Sequence, residues 1–234
     1  MITTLNKYED HRTDYQTELG GHTISEYVTG FDRRMIIFES NWDTADIFNA
    51  TSVYPFFSNI TNIIDKQIPV KVGLRHFDSG RGLSYYFNSE SGKIWEDPNF
   101  WGTSVIYLAA HGYKTSLFPT IGAIDRDEII EALTGFGQFP NIIFLSGCGL
   151  FEGKEGQDFG DQLLKASQSI AIFGYESPNV GFLHSLVIEL LFLTRFFGIK
   201  EEDPFRRVLD IYCSVLNDCK LAKDLGLTMF LKED

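Results

Sequence analysis

The sequence predicts an α/β fold in which a mainly parallel sheet is sandwiched between helices in three layers. Short apolar runs alternate with segments of helical spacing, as in strand–helix–strand units. Two of these runs, over residues 104–110 and 141–145, are almost uninterrupted, which is typical of parallel strands covered on both faces. Because no repeat, low-complexity tract or Pro/Ser-rich linker divides the 234 residues, we expect one domain over 1–234, including a polar extension over 1–33.

The individual elements follow from local patterns. Asp125 with Glu128 three residues later predicts a capping box at the start of a helix. Glycine and proline positions separate the remaining elements. The predicted strands cover 35–38, 69–74, 104–110, 141–145, 170–174 and 227–231, with an extended excursion over 116–122. The predicted helices cover 54–64, 125–133, 158–166 with Asp158 as N-cap, 184–197 and 205–217.

Charge and hydropathy exclude several classes of function. With 20 basic and 32 acidic residues, the net charge of −12 disfavours direct binding to nucleic acid or to anionic membranes. The most apolar stretch, 183–199, is interrupted by His184, Glu189 and Arg195, so we expect a buried amphipathic helix and no membrane span. Three cysteines and no apolar leader at the start predict a cytoplasmic protein without a disulfide framework.

Two predicted parallel strands are followed directly by residues with catalytic chemistry. His111 follows the run 104–110, and Cys148 follows the run 141–145. Reactive groups of α/β sheets gather at the carboxyl ends of strands, and one intervening helix allows these two strands to be neighbours. An imidazole beside a thiol activates it as a nucleophile, while the N–H groups of Gly112 and Cys148 are candidates to hold an oxyanion.

These blocks resemble a known family. The segments 105–112, 127–133 and 142–148 are similar to the histidine and cysteine blocks of caspase-like (clan CD) peptidases, and among them to the CHAT branch. The specific resemblance covers 105–179. It implies a caspase-hemoglobinase-like sheet, His111 as general acid/base, Cys148 as nucleophile, and the Gly112 N–H in the oxyanion hole.

By the same resemblance, the pocket for the residue before the cut is walled by Glu39, Asn41, Asp43, Glu176 and Ser177. The three carboxylates favour a basic substrate side chain by charge pairing. An aromatic and glycine lining accepts an apolar side chain equally well. Both alternatives remain open at this point.

We therefore expect a cysteine endopeptidase that cleaves a protein or peptide substrate and needs no cofactor or metal. The resemblance further implies a regulated protease of a bacterial defence or cell-death system, switched by an activating partner protein or assembly. The alternative is a catalytically silent relative that acts as a scaffold or binding module, since the residues after Cys148 differ from the family's common pattern.

Two compositional features suggest secondary roles. The glycines at 153, 156 and 160 predict a mobile loop at the active site. The 21 phenylalanines include the pairs Phe56-Phe57 and Phe196-Phe197, which predict more aromatic surface than one core buries and therefore a partner surface.

Overall fold

The computed structural model describes residues 34–40, 52–60, 70–87, 92–93, 103–134, 142–198 and 204–232. The predicted extension over 1–33 lies outside these residues. The strands are β1 (Arg34–Glu39), β2 (Lys71–His76), β3 (Val105–Ala109), β4 (His111–Tyr113), β5 (Ser116–Phe118), β6 (Ile142–Ser146), β7 (Ala171–Tyr175) and β8 (Leu227–Leu231). The helices are α1 (Tyr54–Ser58), α2 (Gly80–Phe87), α3 (Arg126–Leu133), α4 (Gly153–Ser167), α5 (Phe182–Gly198), α6 (Pro204–Asp218) and α7 (Lys220–Asp224).

The described strands form a six-stranded sheet of order β2-β1-β3-β6-β7-β8 and a separate β4-β5 hairpin. Strands β2, β1, β3, β6 and β7 pair in parallel, and β8 pairs antiparallel to β7. The predicted mainly parallel sheet is therefore confirmed. Strands β3 and β6 are direct neighbours, so the residues that follow them emerge at the same edge of the sheet.

Helices cover both faces of the sheet, which confirms the predicted three layers. Because successive side chains of a strand point to opposite faces, the buried residues of β3 divide between two apolar clusters. Tyr107 packs in the cluster that contains Phe57 of α1 and Phe192 of α5. Ile106 packs in the opposite cluster, which includes Phe159 of α4. Among the described residues, no helix is both long and apolar enough to span a bilayer.

A hairpin, β4-β5, follows β3, and its second strand lies within the extended excursion predicted over 116–122. Strand β3 ends at Ala109, and His111 begins β4, which pairs antiparallel with β5. Lys114 and Thr115 form the hairpin turn with positive φ angles of 44° and 61°. The predicted capping box is confirmed at the start of α3, where Asp125 accepts a hydrogen bond from the Glu128 backbone N–H at 2.9 Å.

Two sequence predictions are wrong around α4. The helix begins at Gly153, so Asp158 lies inside it and is not its N-cap, and the glycines are helical and not part of a loop. At positions 156 and 160 the small size of glycine serves packing instead. A Cβ at position 156 would lie 2.1 Å from the carbonyl carbon of Phe151, and one at position 160 would lie 2.2 Å from the Phe230 ring.

Three of the four phenylalanines in these pairs do not contribute to the predicted partner surface. Phe57, Phe196 and Phe197 are buried in the core, and Phe56 is 43% exposed. The abundance of phenylalanine instead serves the interior, where stacked rings such as Phe144 against Phe173 fill the sheet–helix layer.

Candidate active site

A cavity of about 140 Å³ lies at the carboxyl ends of β3, β6 and β7. Its floor and walls come from these strand ends, from the segment that follows β7, and from the first turn of α5. Such an edge is where the ligands of open parallel sheets bind. The lining residues are Val53, Ala109, Ala110, His111, Ser146, Gly147, Cys148, Tyr175, Val180, Phe182 and Ser185.

Cys148 lies in a tight turn that follows β6. Gly149 has a φ of +60°, a left-handed conformation that glycine adopts without strain. Two backbone hydrogen bonds fasten this turn to the end of β7 and to the segment after it: Gly149 N donates to Ser177 O at 2.7 Å, and Phe151 N donates to Tyr175 O at 3.2 Å. The position of the thiol is therefore set jointly by β6 and β7.

The histidine and cysteine segments are in direct backbone contact through Gly112. A Cβ at this position would lie 2.7 Å from both Cys148 N and Cys148 O, and 2.8 Å from the carbonyl carbon of Gly147. Real side chains do not approach backbone atoms so closely, so the contact requires glycine. His111, the preceding residue, is exposed and lines the cavity together with Cys148.

The Cys148 thiol is half-buried and donates to the backbone carbonyl of Val180, with Sγ and O 3.4 Å apart. Val180 follows β7 and itself lines the cavity. Cys213 is exposed and Cys219 half-buried, and neither lines the cavity. Of the three free cysteines, Cys148 is the one placed where a bound molecule would meet it.

Behind the cavity lies a fully buried carboxyl group that sequence reasoning missed. Glu189 of α5 accepts hydrogen bonds from three hydroxyl groups. The donors are Tyr107 at 2.5 Å, Ser146 at 2.7 Å and Tyr175 at 3.1 Å. Ser146 and Tyr175 also line the cavity, so the carboxyl group holds part of its wall in place.

Burial changes the acid–base properties of this cluster. It raises the pKa of Glu189 from 4.5 to about 7, although the hydrogen bonds from Tyr107, Ser146 and Tyr175 act in the opposite direction. The pKa of Tyr107 and that of Tyr175 are both raised well above 10, first by burial and then by the nearby Glu189 charge. Both phenols therefore remain hydrogen-bond donors at neutral pH.

The predicted substrate-binding residues lie in different places. Glu39 is 2% exposed and accepts hydrogen bonds from Ser52 Oγ at 2.6 Å and from Val53 N at 2.8 Å. It lines a second cavity of about 480 Å³ at the ends of β1 and β2. Asn41 and Asp43 lie outside the described residues.

Glu176 and Ser177 support the cavity from outside. The exposed Glu176 carboxylate accepts hydrogen bonds from Gln157 and Thr228, each at 3.0 Å. Ser177 holds the turn that contains Cys148, because its backbone carbonyl accepts the hydrogen bond from Gly149 N. Neither residue lines the cavity that contains Cys148.

The described residues contain no group of three or more His, Cys, Asp or Glu side chains arranged to hold a metal ion. No family model matches the chain, and no curated protein matches it.

Many solved structures resemble the fold, among them two cysteine peptidases. Caspase-1 from Spodoptera frugiperda is 11% identical with a TM-score of 0.49, and the match covers 88% of this chain and 89% of that one. A secreted C11 cysteine protease from Bacteroides thetaiotaomicron, solved with an irreversible peptide inhibitor, is 12% identical with a TM-score of 0.41. That match covers 79% of this chain and 59% of the C11 protease chain.

Proposed function

We propose that this chain is a cysteine endopeptidase in which His111 is the general acid/base and Cys148 the nucleophile. One observation carries the proposal: the two residues follow neighbouring parallel strands and line the same cavity. A histidine or a cysteine alone is more often structural than catalytic. Their common position at one cavity, with the two segments in contact through the Gly112 backbone, supports a shared role in nucleophilic catalysis.

The reaction divides into two steps. The thiol exchanges its contact with Val180 O for one with His111, which takes the proton as sulfur attacks the substrate carbonyl carbon. The tetrahedral intermediate expels the amine, which receives that proton from the imidazolium, and a thioester remains on Cys148. Water then attacks the thioester while His111 removes its proton, and the carboxylic acid product leaves as the thiol is restored.

The negative charge of the tetrahedral intermediate needs nearby N–H donors. The N–H groups of Gly112 and Cys148 serve this role in the proposal, because the two backbone segments lie against one another. A larger residue at position 112 would force these donors apart. The backbone contact thus supports both the His–Cys geometry and the oxyanion hole.

The substrate of such an enzyme is a protein or peptide. In the proposal, a separate partner protein or assembly switches the activity within a bacterial defence or cell-death system, in the cytoplasm. The activating partner and the defence or cell-death role rest on the sequence resemblance alone, whereas the cytoplasmic location rests on the small, odd number of cysteines. Full activity of the purified monomer without any added partner would contradict the need for an activating partner.

The test is mass-spectrometric mapping of cuts in a complex peptide library. The native protein is compared with Cys148→Ala and His111→Ala, and Cys213→Ala is the matched control because Cys213 lies outside the cavity. We expect cuts with the native protein and the control, and a loss on the order of 10³-fold or more with the other two variants.

A second measurement covers the case in which no cuts appear. We expect iodoacetamide to alkylate Cys148 faster than Cys213 despite the greater exposure of Cys213, and His111→Ala to remove this difference. Absent cuts together with slow alkylation of Cys148 would overturn the proposal and favour a binding module.

A further inference from the structure

We infer that the cavity beside Cys148 receives the side chain of the substrate residue that precedes the cut, and that it selects an uncharged, apolar side chain. The inference rests on the proposed function and specifies its substrate class. Gly147 and Cys148 form part of the cavity wall. A side chain inside the cavity therefore belongs to the residue whose carbonyl carbon lies at the sulfur.

The lining is chemically suited to an apolar group. Val53, Ala109, Val180 and Phe182 contribute apolar surface, and the Tyr175 ring adds to it. The polar side chains of the lining are those of His111, Ser146, Cys148 and Ser185, together with the Tyr175 hydroxyl. Among the described residues, no Asp, Glu, Lys or Arg lines the cavity. A charged side chain would lose its hydration on entry without meeting an opposite charge.

Glu189 does not supply that charge. Its side chain is fully buried behind the lining, and its carboxyl oxygens already accept hydrogen bonds from Tyr107, Ser146 and Tyr175. A Lys or Arg side chain would have to displace these hydroxyl donors to reach the carboxyl group, and the displaced donors would remain buried without partners. The carboxyl group is therefore a positioning group that fixes Ser146 and Tyr175.

Glu39 and Glu176, two of the carboxylates predicted to wall the pocket, already accept hydrogen bonds from other residues. Glu39 is held by Ser52 and Val53 and lines the second cavity. Glu176 is held by Gln157 and Thr228 on the outer side of the segment after β7. Of the two alternatives for substrate selection, the described contacts favour the apolar one.

The volume limits the size of the side chain. A cavity of roughly 150 Å³ lined by apolar groups accommodates a benzene molecule. The cavity beside Cys148, at about 140 Å³, is therefore suited to side chains of the size of Leu, Met or Phe. The apolar surface continues outward: the Phe182 ring contacts Phe56, which is 43% exposed, and Leu183 is 66% exposed.

The experiment measures how fast peptidyl acyloxymethyl ketones modify Cys148, using intact-mass spectrometry. In this reaction the sulfur displaces a carboxylate, so that a C–S bond forms as a C–O bond breaks. The probes differ only in the side chain before the ketone: Leu, Met, Phe, Ala, Asp, Lys or Arg. We expect Leu, Met and Phe probes to react faster than Lys, Arg and Asp probes by on the order of tenfold or more.

Variants assign the selectivity to the cavity. Val180→Phe narrows the cavity at a half-buried position, so we expect the Ala probe to overtake the Leu and Phe probes. Leu209→Ala, on an exposed position of α6 away from the cavity, is the control and keeps the native ranking. Faster reaction of the Lys or Arg probe, or no reaction with any peptidyl probe, overturns the inference.

The two proposals fail in different ways. Iodoacetamide carries no side chain to be selected, so its rate with Cys148 relative to Cys213 tests the proposed function alone. If Cys148 is alkylated fast but the Lys or Arg probes react fastest, or all peptidyl probes react equally fast, the apolar selectivity is refuted and the proposed function remains intact. Slow alkylation refutes the proposed function first.

Discussion

Replacing Gly112 with alanine tests the backbone contact between the histidine and cysteine segments. The added methyl group would lie 2.7 Å from Cys148 N and O, whereas nonbonded contacts to carbon are relaxed at about 3.5 Å or more. The segments must therefore separate by about 0.8 Å, the difference between these distances. Overpacking of this kind costs about 1–3 kcal/mol of unfolding free energy.

The same displacement affects the proposed chemistry. A misplacement of about 1 Å in an active site lowers the rate on the order of 10²-fold. We expect Gly112→Ala to lower kcat/KM on a library-derived peptide by that factor, and to slow the alkylation of Cys148. Urea unfolding followed by tryptophan fluorescence gives the accompanying loss of stability.

Gly73→Ala is the matched control for this measurement. Gly73 also lies in a strand, but its Cβ would sit 3.8 Å from Ile36 Cγ1, an ordinary contact. We expect Gly73→Ala to leave activity unchanged and to raise the unfolding free energy by no more than about 1 kcal/mol. Equal stability and activity of Gly112→Ala and Gly73→Ala would refute the contact and the reasoning built on it.

Three further predictions concern stability. Because the pKa of Glu189 is raised from 4.5 to about 7, the folded protein binds more protons than the unfolded chain between these pH values, and its stability falls as pH rises through them. Glu189→Gln should remove this pH dependence, which lowers the unfolding free energy by about 3 kcal/mol over the full range between the two pKa values. Urea titrations at about pH 5 and about pH 8 check this, and an unchanged pH dependence contradicts it. Gly160→Ala should destabilise the protein by about 1–3 kcal/mol because its methyl group would overlap the buried Phe230 ring, and a neutral result in urea unfolding would refute the overlap. Asp125→Ala should cost about 1 kcal/mol through loss of the capping box with Glu128, with Asp125→Asn as the mild control; equal losses for the two variants would speak against capping.

The sequence predicts the central sheet well because β3 and β6 are buried on both faces. Short, continuous apolar runs are typical of such strands, and the capping box before α3 is a purely local signal. The adjacency of the two strands follows from the single helix between them. His111 and Cys148 could therefore be assigned to one edge of the sheet without coordinates.

The predictions that failed or were missed depend on contacts between residues that are far apart in the sequence. Gly156 and Gly160 resemble loop glycines in sequence. In the folded protein, however, the Phe151 backbone packs against Gly156 and the Phe230 ring packs against Gly160, so neither position has room for a side chain. Glu189 contacts Tyr107, which is 82 positions away in the sequence, so no local pattern reveals the cluster. The one signal in the sequence is a lone acidic residue in a long apolar stretch, which is typical of a buried, hydrogen-bonded carboxyl group.

The backbone bonds around Cys148 continue beyond the cavity. Gly149 N is bonded to Ser177 O, while Ser177 N and Glu176 N are bonded in turn to Leu225 O and Gly226 O, next to β8. Gly226 has a φ of +62°, and a Cβ there would lie 2.9 Å from the Glu176 Cβ. A genetic screen for loss of the proposed activity should consequently recover substitutions at position 226 alongside substitutions of His111 and Cys148.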